Sequence, residues 1–332
     1  MNYISEIKPV YNITSNNRKL ISNIEELLTK IEIRDINRLA NLKMESKVRS
    51  IHSSLAIENN NLSLDTIYDI ICFNKKVLGS YEDIQEVRNA NELYNQIKEY
   101  NWKNEKDLIR AQIVLMKYFE DDEGYYRKHG EGVKIENKLI YKAPDSLIVP
   151  VLMKSLFDFI NNNNTHPFIL SAIFHYYLVY IHPFTDGNGR IARFWVSLIL
   201  IDYNNKFEYI PIEEEIYKTQ DEYYKAIENS HNDGNANSFI NYMLETIYNY
   251  LLKTTQKTTQ KINLNNNQQK IIKLIENNPS ITRKEIAKEI NLTEDGVKYN
   301  LNKLKKSKII ERVGPDKGGY WTVNKRSDNY EI

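Results

Sequence analysis

The stretch that decides the fold is His182-Pro183-Phe184-Thr185-Asp186-Gly187-Asn188-Gly189-Arg190-Ile191-Ala192-Arg193. It lies between two apolar segments that predict helices, one over Phe168 to Tyr180 and one from about Asn188 to Tyr203. Gly187 and Gly189 allow a loop to bring backbone N–H groups close to an anion. The N-terminus of the second helix adds partial positive charge behind that loop. The stretch therefore predicts an anion-binding loop at a helix N-terminus.

The side chains of this stretch point to a phosphate-bearing ligand. Arg190 and Arg193 are three residues apart, so both face one side of the first helical turn, and guanidinium groups match phosphate oxygens. Asp186 offers a hard oxygen ligand suited to Mg²⁺ that bridges phosphates. His182 is a titratable base at the mouth of the loop. We therefore expect a phosphate site with a proton acceptor beside it.

The stretch resembles the motif of the Fic family (filamentation induced by cAMP), His-x-Phe-x-Asp/Glu-Gly-Asn-Gly-Arg-x-x-Arg, and every specified position matches. The helices and hairpin over about residues 1–250 are also similar to that family. The resemblance implies a mainly α, helical Fic fold with a β-hairpin flap. It also implies a protein adenylyltransferase that moves AMP from ATP, with Mg²⁺, onto a Tyr, Ser or Thr hydroxyl of a target protein or of itself.

The resemblance assigns a role to each residue of the site. His182 would take the proton from the target hydroxyl, whose oxygen would attack the α-phosphate while pyrophosphate leaves. Asp186 would hold Mg²⁺ on the α- and β-phosphates. The implied ATP-binding residues are Gly187, Asn188 and Gly189 through backbone N–H groups, Arg190 and Arg193 on the β- and γ-phosphates, and Tyr224 beside the nucleobase.

A hairpin is predicted where Val133 to Ile135 and Leu139 to Tyr141 flank a polar turn. It resembles the Fic flap, whose strand edge pairs with the backbone of the target protein and aims its hydroxyl. The implied docking residues are Val133, Ile135, Ile140 and Tyr141.

An inhibitory helix is implied upstream of the motif. Ser54 and Glu58 are four residues apart and therefore lie on one helical face. With Asn59 they resemble the Fic inhibitory motif, Ser/Thr-x-x-x-Glu-Gly/Asn. The resemblance implies that Glu58 pairs with Arg193, occupies the place of the γ-phosphate and holds ATP in an unproductive pose. Some relatives use the same glutamate to help remove AMP.

The C-terminal part is a separate, basic module. Residues 265–332 carry 14 Lys and Arg against 9 Asp and Glu, a net charge of +5, whereas the rest has 31 against 35, a net charge of −4. Three amphipathic segments followed by two β-prone runs around Gly314 to Gly319 resemble a winged helix-turn-helix domain. The polar face of its third helix presents candidate DNA contacts, Lys298, Asn302, Lys305 and Lys306. The sequence leaves open whether this module binds DNA or protein.

Composition bounds the remaining possibilities. Hydrophobic residues make up 41% of the 332 residues, so the chain is not globally disordered. Its single cysteine, Cys72, excludes a disulfide framework or a cysteine-cluster zinc site. The N-terminus has no basic, apolar leader and no apolar run could span a bilayer, so we expect a cytoplasmic protein without a membrane partner. Asp65, Asp83, Asp107, Thr282 and Thr293 are candidate helix N-caps.

We expect an N-terminal helical region over 1–100 with the inhibitory helix at about 50–60. A Fic core over 101–253, a polar linker over 254–267 and a winged helix-turn-helix over 268–325 follow. Two alternatives stay open. One is Fic-type transfer of another phosphate-containing group, or AMP removal. The other is a DNA-binding regulator whose Fic part only senses nucleotide. The sequence does not decide whether the chain forms a homo-oligomer.

Overall fold

The computed structural model describes residues 8–31, 36–119, 124–130, 132–135, 138–259, 264–306, 309–314 and 318–323. The chain divides into two compact units, Met1–Lys253 and Thr254–Ile332. The described part of each unit is mainly helical and carries one two-stranded antiparallel hairpin, as predicted. None of the helices in these ranges combines the length and apolar character that crossing a membrane requires.

The helices and strands of the first unit follow in chain order. They are α1 (Ser15–Lys30), α2 (Ile36–Ile57), α3 (Leu64–Phe73), α4 (Tyr81–Asn95), α5 (Glu105–Met116), β1 (Gly132–Ile135), β2 (Lys138–Lys142), α6 (Val149–Asn161), α7 (Pro167–Ile181), α8 (Asn188–Tyr203), α9 (Ile212–Lys218), α10 (Gln220–Asn232) and α11 (Asn237–Thr259). Short 3₁₀ turns lie at Ile97–Glu99, Ser146–Ile148 and Asn205–Tyr209.

Two helices, α7 and α8, form the centre of the first unit. Every residue of α7 from Phe168 to Val179 is buried, because the helix is apolar on all sides and is stable only when other helices surround it. Phe174 of α7 stacks on Trp195 of α8 with ring centroids 5.9 Å apart. The motif loop, residues 182–187, therefore connects the two most buried helices of the unit.

At the N-termini of α3, α4 and α5, the structure differs from the predicted N-caps. The acidic residues lie inside the first turn, where the helix dipole favours their charge. The side chains that accept the free N–H groups belong to Ser63, Ser80 and Asn104 rather than to Asp65, Asp83 and Asp107. In the second unit, the predictions for Thr282 and Thr293 are confirmed, since both side chains accept a first-turn N–H.

The second unit contains α12 (Asn266–Asn277), α13 (Arg283–Ile290), α14 (Glu294–Lys306), β3 (Ile310–Val313) and β4 (Tyr320–Val323). The two strands pair antiparallel, with Ile310 opposite Val323. Apolar residues of all three helices, among them Ile275, Ile286 and Leu301, share one buried cluster. This is the predicted winged helix-turn-helix arrangement.

The polar segment predicted as a linker, 254–267, is helical at both ends. Helix α11 continues through Thr259, and α12 begins at Asn266. The division into 1–100, 101–253, 254–267 and 268–325 stays a prediction.

Candidate functional site

The motif loop turns sharply at both of its ends. His182 follows the last residue of α7 in the left-handed region, with φ 51°, and its side chain is half-buried. Gly187 precedes α8 with φ 81°, and a Cβ there would collide with the Met116 side chain. Glycine is therefore required at position 187 for both backbone conformation and space.

The loop is closed by a side chain rather than by regular structure. Asn188 accepts a hydrogen bond from Phe184 N over 3.0 Å and donates one to Phe184 O over 2.7 Å. Phe184 is fully buried and its ring packs against Tyr126, with centroids 5.6 Å apart. The Asn188 side chain thus holds the loop, while the first N–H groups of α8 have no acceptor within the helix and can serve an anion.

Arg190 is buried between two carboxylates. Its Nη1 donates to Glu86 Oε1 over 2.6 Å, and its Nη2 donates to Asp186 Oδ2 over 2.5 Å. Burial alone would lower the pKa of the Arg190 guanidinium, but Asp186, Glu86 and Glu58 outweigh that effect and raise it. Burial also raises the pKa of Glu86, against the opposing effect of Arg190. Arg190 is therefore a fixed cation whose charge is balanced inside the protein.

Arg193 makes the predicted pairing with the end of α2. Its Nη2 donates to Glu58 Oε1 over 2.8 Å and to Ser54 O over 2.9 Å, and its Nε donates to Ser54 Oγ over 3.0 Å. The Arg193 side chain is 1% exposed and the Glu58 side chain 36% exposed. Although burial opposes the charge, Glu58 raises the pKa of Arg193. The Ser54 and Glu58 side chains therefore engage the same guanidinium.

The end of helix α2 explains why an asparagine follows Glu58. Asn59 follows α2 in the left-handed region, with φ 70°, which asparagine tolerates better than most residues. The N–H of Asn60 returns to Leu55 O over 3.1 Å, as in a Schellman end. This ending directs the chain away immediately after Glu58, so that its side chain reaches Arg193.

Tyr224 of α10 lies beside the same helix end. Its hydroxyl donates to Ile57 O over 3.3 Å, and burial raises its pKa. The preceding Tyr223 is buried and shares a 2.9 Å hydrogen bond with His175 Nε2 on α7. The structure therefore brings Tyr224 next to Glu58 and Arg193, whereas Tyr223 belongs to the core.

The predicted hairpin is present, with Val133 opposite Tyr141 and Ile135 opposite Lys138. The register shifts after Val133, which marks a β-bulge. The side chains of Val133, Ile135 and Ile140 lie outside what the structure describes. Tyr141 is 5% exposed and its hydroxyl bonds to Tyr180 O over 2.8 Å, so its side chain points into the protein rather than toward a target.

The side chain of Asp186, whose carboxylate is predicted to hold Mg²⁺, is 60% exposed. Within the described ranges no three His, Cys, Asp or Glu side chains converge as a metal site. One exposed carboxylate fits Mg²⁺, which often binds one or two protein carboxylates and completes its shell with phosphates and water.

The predicted DNA contacts lie in the second unit. Lys298, Asn302, Lys305 and Lys306 are exposed on α14, while Val297, Leu301 and Leu304 are buried on its other face. Exposed Tyr299 lies between them in sequence, with Lys303 over its ring at 4.8 Å.

Three polar residues of the first unit, of which Arg127 and Glu213 are buried and Glu86 is half-buried, were not predicted. Glu86 binds Arg190, Arg127 donates to the carbonyl of His182, and Glu213 accepts bonds from Ser50, Tyr94 and Ser197. Arg127 is 55 residues from its partner His182 in sequence, and Glu86 is 104 residues from its partner Arg190. No local spacing signals such pairs.

Comparisons with known proteins agree with this geometry. The Fic/DOC family matches residues 102–200, and the family described as winged helix-turn-helix DNA-binding matches residues 264–311. Protein adenylyltransferase fic-1 of Caenorhabditis elegans is 25% identical over 250 residues, which cover 70% of this chain and 46% of that protein. A probable protein adenylyltransferase of Aquifex aeolicus is 27% identical over 169 residues, covering 47% of this chain and 51% of that protein.

The chain thus spans about half the length of these curated relatives. A solved Fic family protein from Desulfovibrio desulfuricans matches more completely, with 30% identity and a TM-score of 0.73 over 97% of this chain and 100% of that one. On this likeness, together with the complete motif at residues 182–193, the chain belongs to the Fic family.

Proposed function

We propose that this protein transfers AMP from ATP to a hydroxyl side chain of a protein, either a target or itself. The observation that carries the proposal is the junction of α7 and α8. There a half-buried histidine begins the loop that ends in a glycine at the N-terminus of α8, and two buried arginines follow in the first turns of that helix. The names of the adenylyltransferase relatives support the same reaction.

The chemistry follows from positioning and charge. His182 accepts the proton of the attacking hydroxyl, and the freed oxygen forms a bond to the α-phosphorus of ATP. The bond from that phosphorus to the bridging oxygen breaks, and pyrophosphate leaves. The N–H groups at the start of α8, with Arg190 and Arg193, hold the phosphate oxygens where negative charge develops. Mg²⁺, held by Asp186 and the phosphates, would add charge neutralisation when bound.

We further propose that the described state is self-inhibited. The Glu58 carboxylate binds the Arg193 guanidinium, which would otherwise bind the γ-phosphate. The same guanidinium donates a hydrogen bond to Ser54. The pair gives little net stability, because the buried Arg193 loses its hydration while Glu58 stays partly exposed to water, which weakens their attraction. Glu58 is therefore displaceable, and the strength of inhibition depends on what else holds α2.

The test uses purified full-length protein, Mg²⁺ and ATP labelled on the α-phosphate. Glu58→Gly should label protein more strongly than wild type, and adding His182→Ala should abolish the label. Glu45→Ala, which changes an exposed glutamate of α2 to a good helix former, is the control and should behave like wild type. Equal labelling of wild type and Glu58→Gly would contradict the proposed inhibition and still support the transferase activity.

A parallel reaction with ATP labelled on the γ-phosphate separates the remaining chemistries. Label from the γ-position on the protein would indicate phosphate transfer and contradict AMP transfer. Release of AMP from pre-labelled protein would indicate the reverse activity. Absence of both labels, with ATP still bound, would favour a domain that only senses nucleotide.

DNA binding by the second unit is a second proposed function. The supporting observation is the row of exposed lysines on α14, in a domain that matches a DNA-binding family. The third helix of such a domain enters the major groove while lysines contact phosphates.

A further inference from the structure

The end of helix α7 carries a series of carbonyl groups that the helix itself does not satisfy. The last carbonyls of a helix have no intrahelical donor and carry partial negative charge. At the end of α7, Leu178 O is bonded by His182 N over 2.9 Å. The next carbonyls, from Val179 to His182, need donors from elsewhere, and they lead directly into the residue proposed as the base.

Two of these carbonyls are bound by one buried arginine. Arg127 is 1% exposed, and its Nε donates to His182 O over 2.7 Å while its Nη2 reaches Ile181 O over 3.3 Å. Its own backbone N–H donates to Pro183 O over 2.9 Å. A cation at a helix C-terminus is stabilised by the helix dipole, so this position suits the charge of the guanidinium.

The other two carbonyls are bound by a tyrosine of the hairpin. The Tyr141 hydroxyl, on β2, contacts both Val179 O and Tyr180 O, the latter over 2.8 Å. Its ring stacks on Tyr180, with centroids 5.6 Å apart and planes inclined by 9°. All four carbonyls from Val179 to His182 are therefore capped by side chains that come from the neighbourhood of the hairpin.

The remaining bonds of Arg127 join the two ends of the hairpin segment. Nη1 donates to His129 O over 2.7 Å, before β1, and Nη2 donates to Pro144 O over 2.6 Å, after β2. One guanidinium thus binds the chain entering the hairpin, the chain leaving it, and the His182 carbonyl. A planar fork with five donors can do this, whereas a lysine ammonium has only three.

We propose that Arg127 is a positioning residue that, with Tyr141, holds His182 in its left-handed conformation and couples it to the hairpin. This inference rests on the proposed function for the role of His182. A target strand that docks on the hairpin would then meet a histidine whose direction is set by the same buried cap. Arg127 acts through the backbone of residue 182 and does not touch the nucleotide.

The kinetic test is made in the Glu58→Gly background, where transfer is measurable. Arg127→Lys keeps the charge but loses the fork. We expect turnover to fall on the order of a hundredfold, as when a catalytic group is misplaced by about 1 Å. The KM for ATP should stay within about threefold, because α8 and its arginines are unchanged. Tyr141→Phe, which removes one hydroxyl, should reduce turnover less. Arg110→Lys, which changes an exposed arginine, should have no effect.

Hydrogen exchange supplies a readout that does not need activity. In Arg127→Lys and in Tyr141→Phe, amides of the α7 end, 179–184, and of the hairpin, 132–142, should exchange faster together, while Arg110→Lys leaves both unchanged. Should Arg127→Lys fail to fold, Tyr141→Phe carries the same test. Faster exchange in only one of the two segments would overturn the coupling. Equal loss of ATP binding and turnover would show a general structural role and overturn the positioning.

The two proposals fail in distinguishable ways. If Glu58→Gly carries no label, but the α7 end and the hairpin exchange faster together in Arg127→Lys, the transferase proposal is contradicted and the coupling is supported. Label in Glu58→Gly with unchanged turnover and exchange in Arg127→Lys would keep the transferase and remove the positioning role.

Discussion

Arg193 donates to Glu58 across 2.8 Å while only 1% of the arginine side chain is exposed. Loss of the carboxylate removes one partner of a buried cation that keeps its bonds to Ser54, so Glu58→Gly should lower the free energy of unfolding by about 1–3 kcal/mol. ATP with Mg²⁺ should then stabilise the variant more than wild type, because phosphate replaces the carboxylate. Chemical unfolding with and without ATP measures the stability of the variant and its stabilisation by ATP, with Glu45→Ala as the control for loss of a glutamate. Equal stabilisation of both proteins by ATP would contradict the shared position.

Gly189 lies directly against the Glu58 carboxylate, and a Cβ at this position would overlap it. If phosphate takes the place of Glu58, the same Cβ would obstruct the nucleotide. Gly189→Ala in the Glu58→Gly background should therefore weaken ATP binding by at least about tenfold, or about 1.4 kcal/mol. Titration calorimetry measures the Kd. Gly130→Ala is the matched control, since a Cβ there meets open space. Undiminished affinity would place the phosphates elsewhere.

Glu213 provides a second attachment for helix α2, which precedes Glu58. This buried carboxylate accepts hydroxyl bonds from Ser50 on α2 over 2.6 Å, from Ser197 on α8 over 2.6 Å and from Tyr94 over 2.9 Å. Ser50 is one turn before Ser54, so the bond holds α2 one turn away from Arg193.

Glu213→Gln loses acceptor capacity and should destabilise the protein by about 1–3 kcal/mol. Loosening of α2 should raise AMP transfer several-fold when Glu58 is present and leave it unchanged in Glu58→Gly. The effect on transfer is measured as label incorporation in wild type, Glu213→Gln, Glu58→Gly and the variant with both changes. Glu214→Gln, which breaks ion pairs with the exposed side chains of Arg49 and Lys218, should have little effect. Lower transfer in both backgrounds would mean that Glu213 supports the fold rather than the inhibition.

His175 should make the protein less stable in mild acid. Burial, assisted by Arg193, lowers the pKa of this histidine well below 6.5. Between that lowered value and 6.5 the unfolded chain binds a proton that the folded chain does not, so stability falls as the pH drops below about 6.5. One such group contributes up to about 1.4 kcal/mol per pH unit.

The matching measurement is the free energy of unfolding as a function of pH. His175→Asn should flatten the profile below about pH 6.5, whereas His129→Asn, at an exposed position, should keep it. Identical slopes in wild type and His175→Asn would show that other groups cause the loss.

The lysines of α14 should contribute to DNA affinity through phosphates. Changing Lys298 and Lys305 to alanine should weaken binding equally across sequences and reduce the salt slope by about 1 for each lost phosphate contact. Fluorescence anisotropy with a labelled duplex over a range of salt concentrations measures the slope. Lys288→Ala, an exposed lysine of α13, is the control. An unchanged slope would indicate that α14 faces a protein instead.

Local patterns predicted most of the secondary structure. The apolar period placed α8 at residues 188–203, and two β-prone runs around a turn predicted each hairpin. The N-caps of α3 and α4 were misplaced, because serine and aspartate two or three residues apart are both good caps. The backbone conformation, which sets Ser63 and Ser80 just outside the helices, decides between them.

The sequence by itself determined the family motif at residues 182–193, because that motif depends on residues at short, characteristic spacings. The pairing of Glu58 with Arg193, which lie 135 residues apart, was implied by the resemblance to the family. Only the tertiary structure decided that Glu86 neutralises Arg190, that Glu213 ties α2 to α8 and that Arg127 and Tyr141 cap α7. The physical reason is that buried polar groups must find partners wherever packing places them. Those partners lie tens of residues away in sequence, so no periodicity or motif records them.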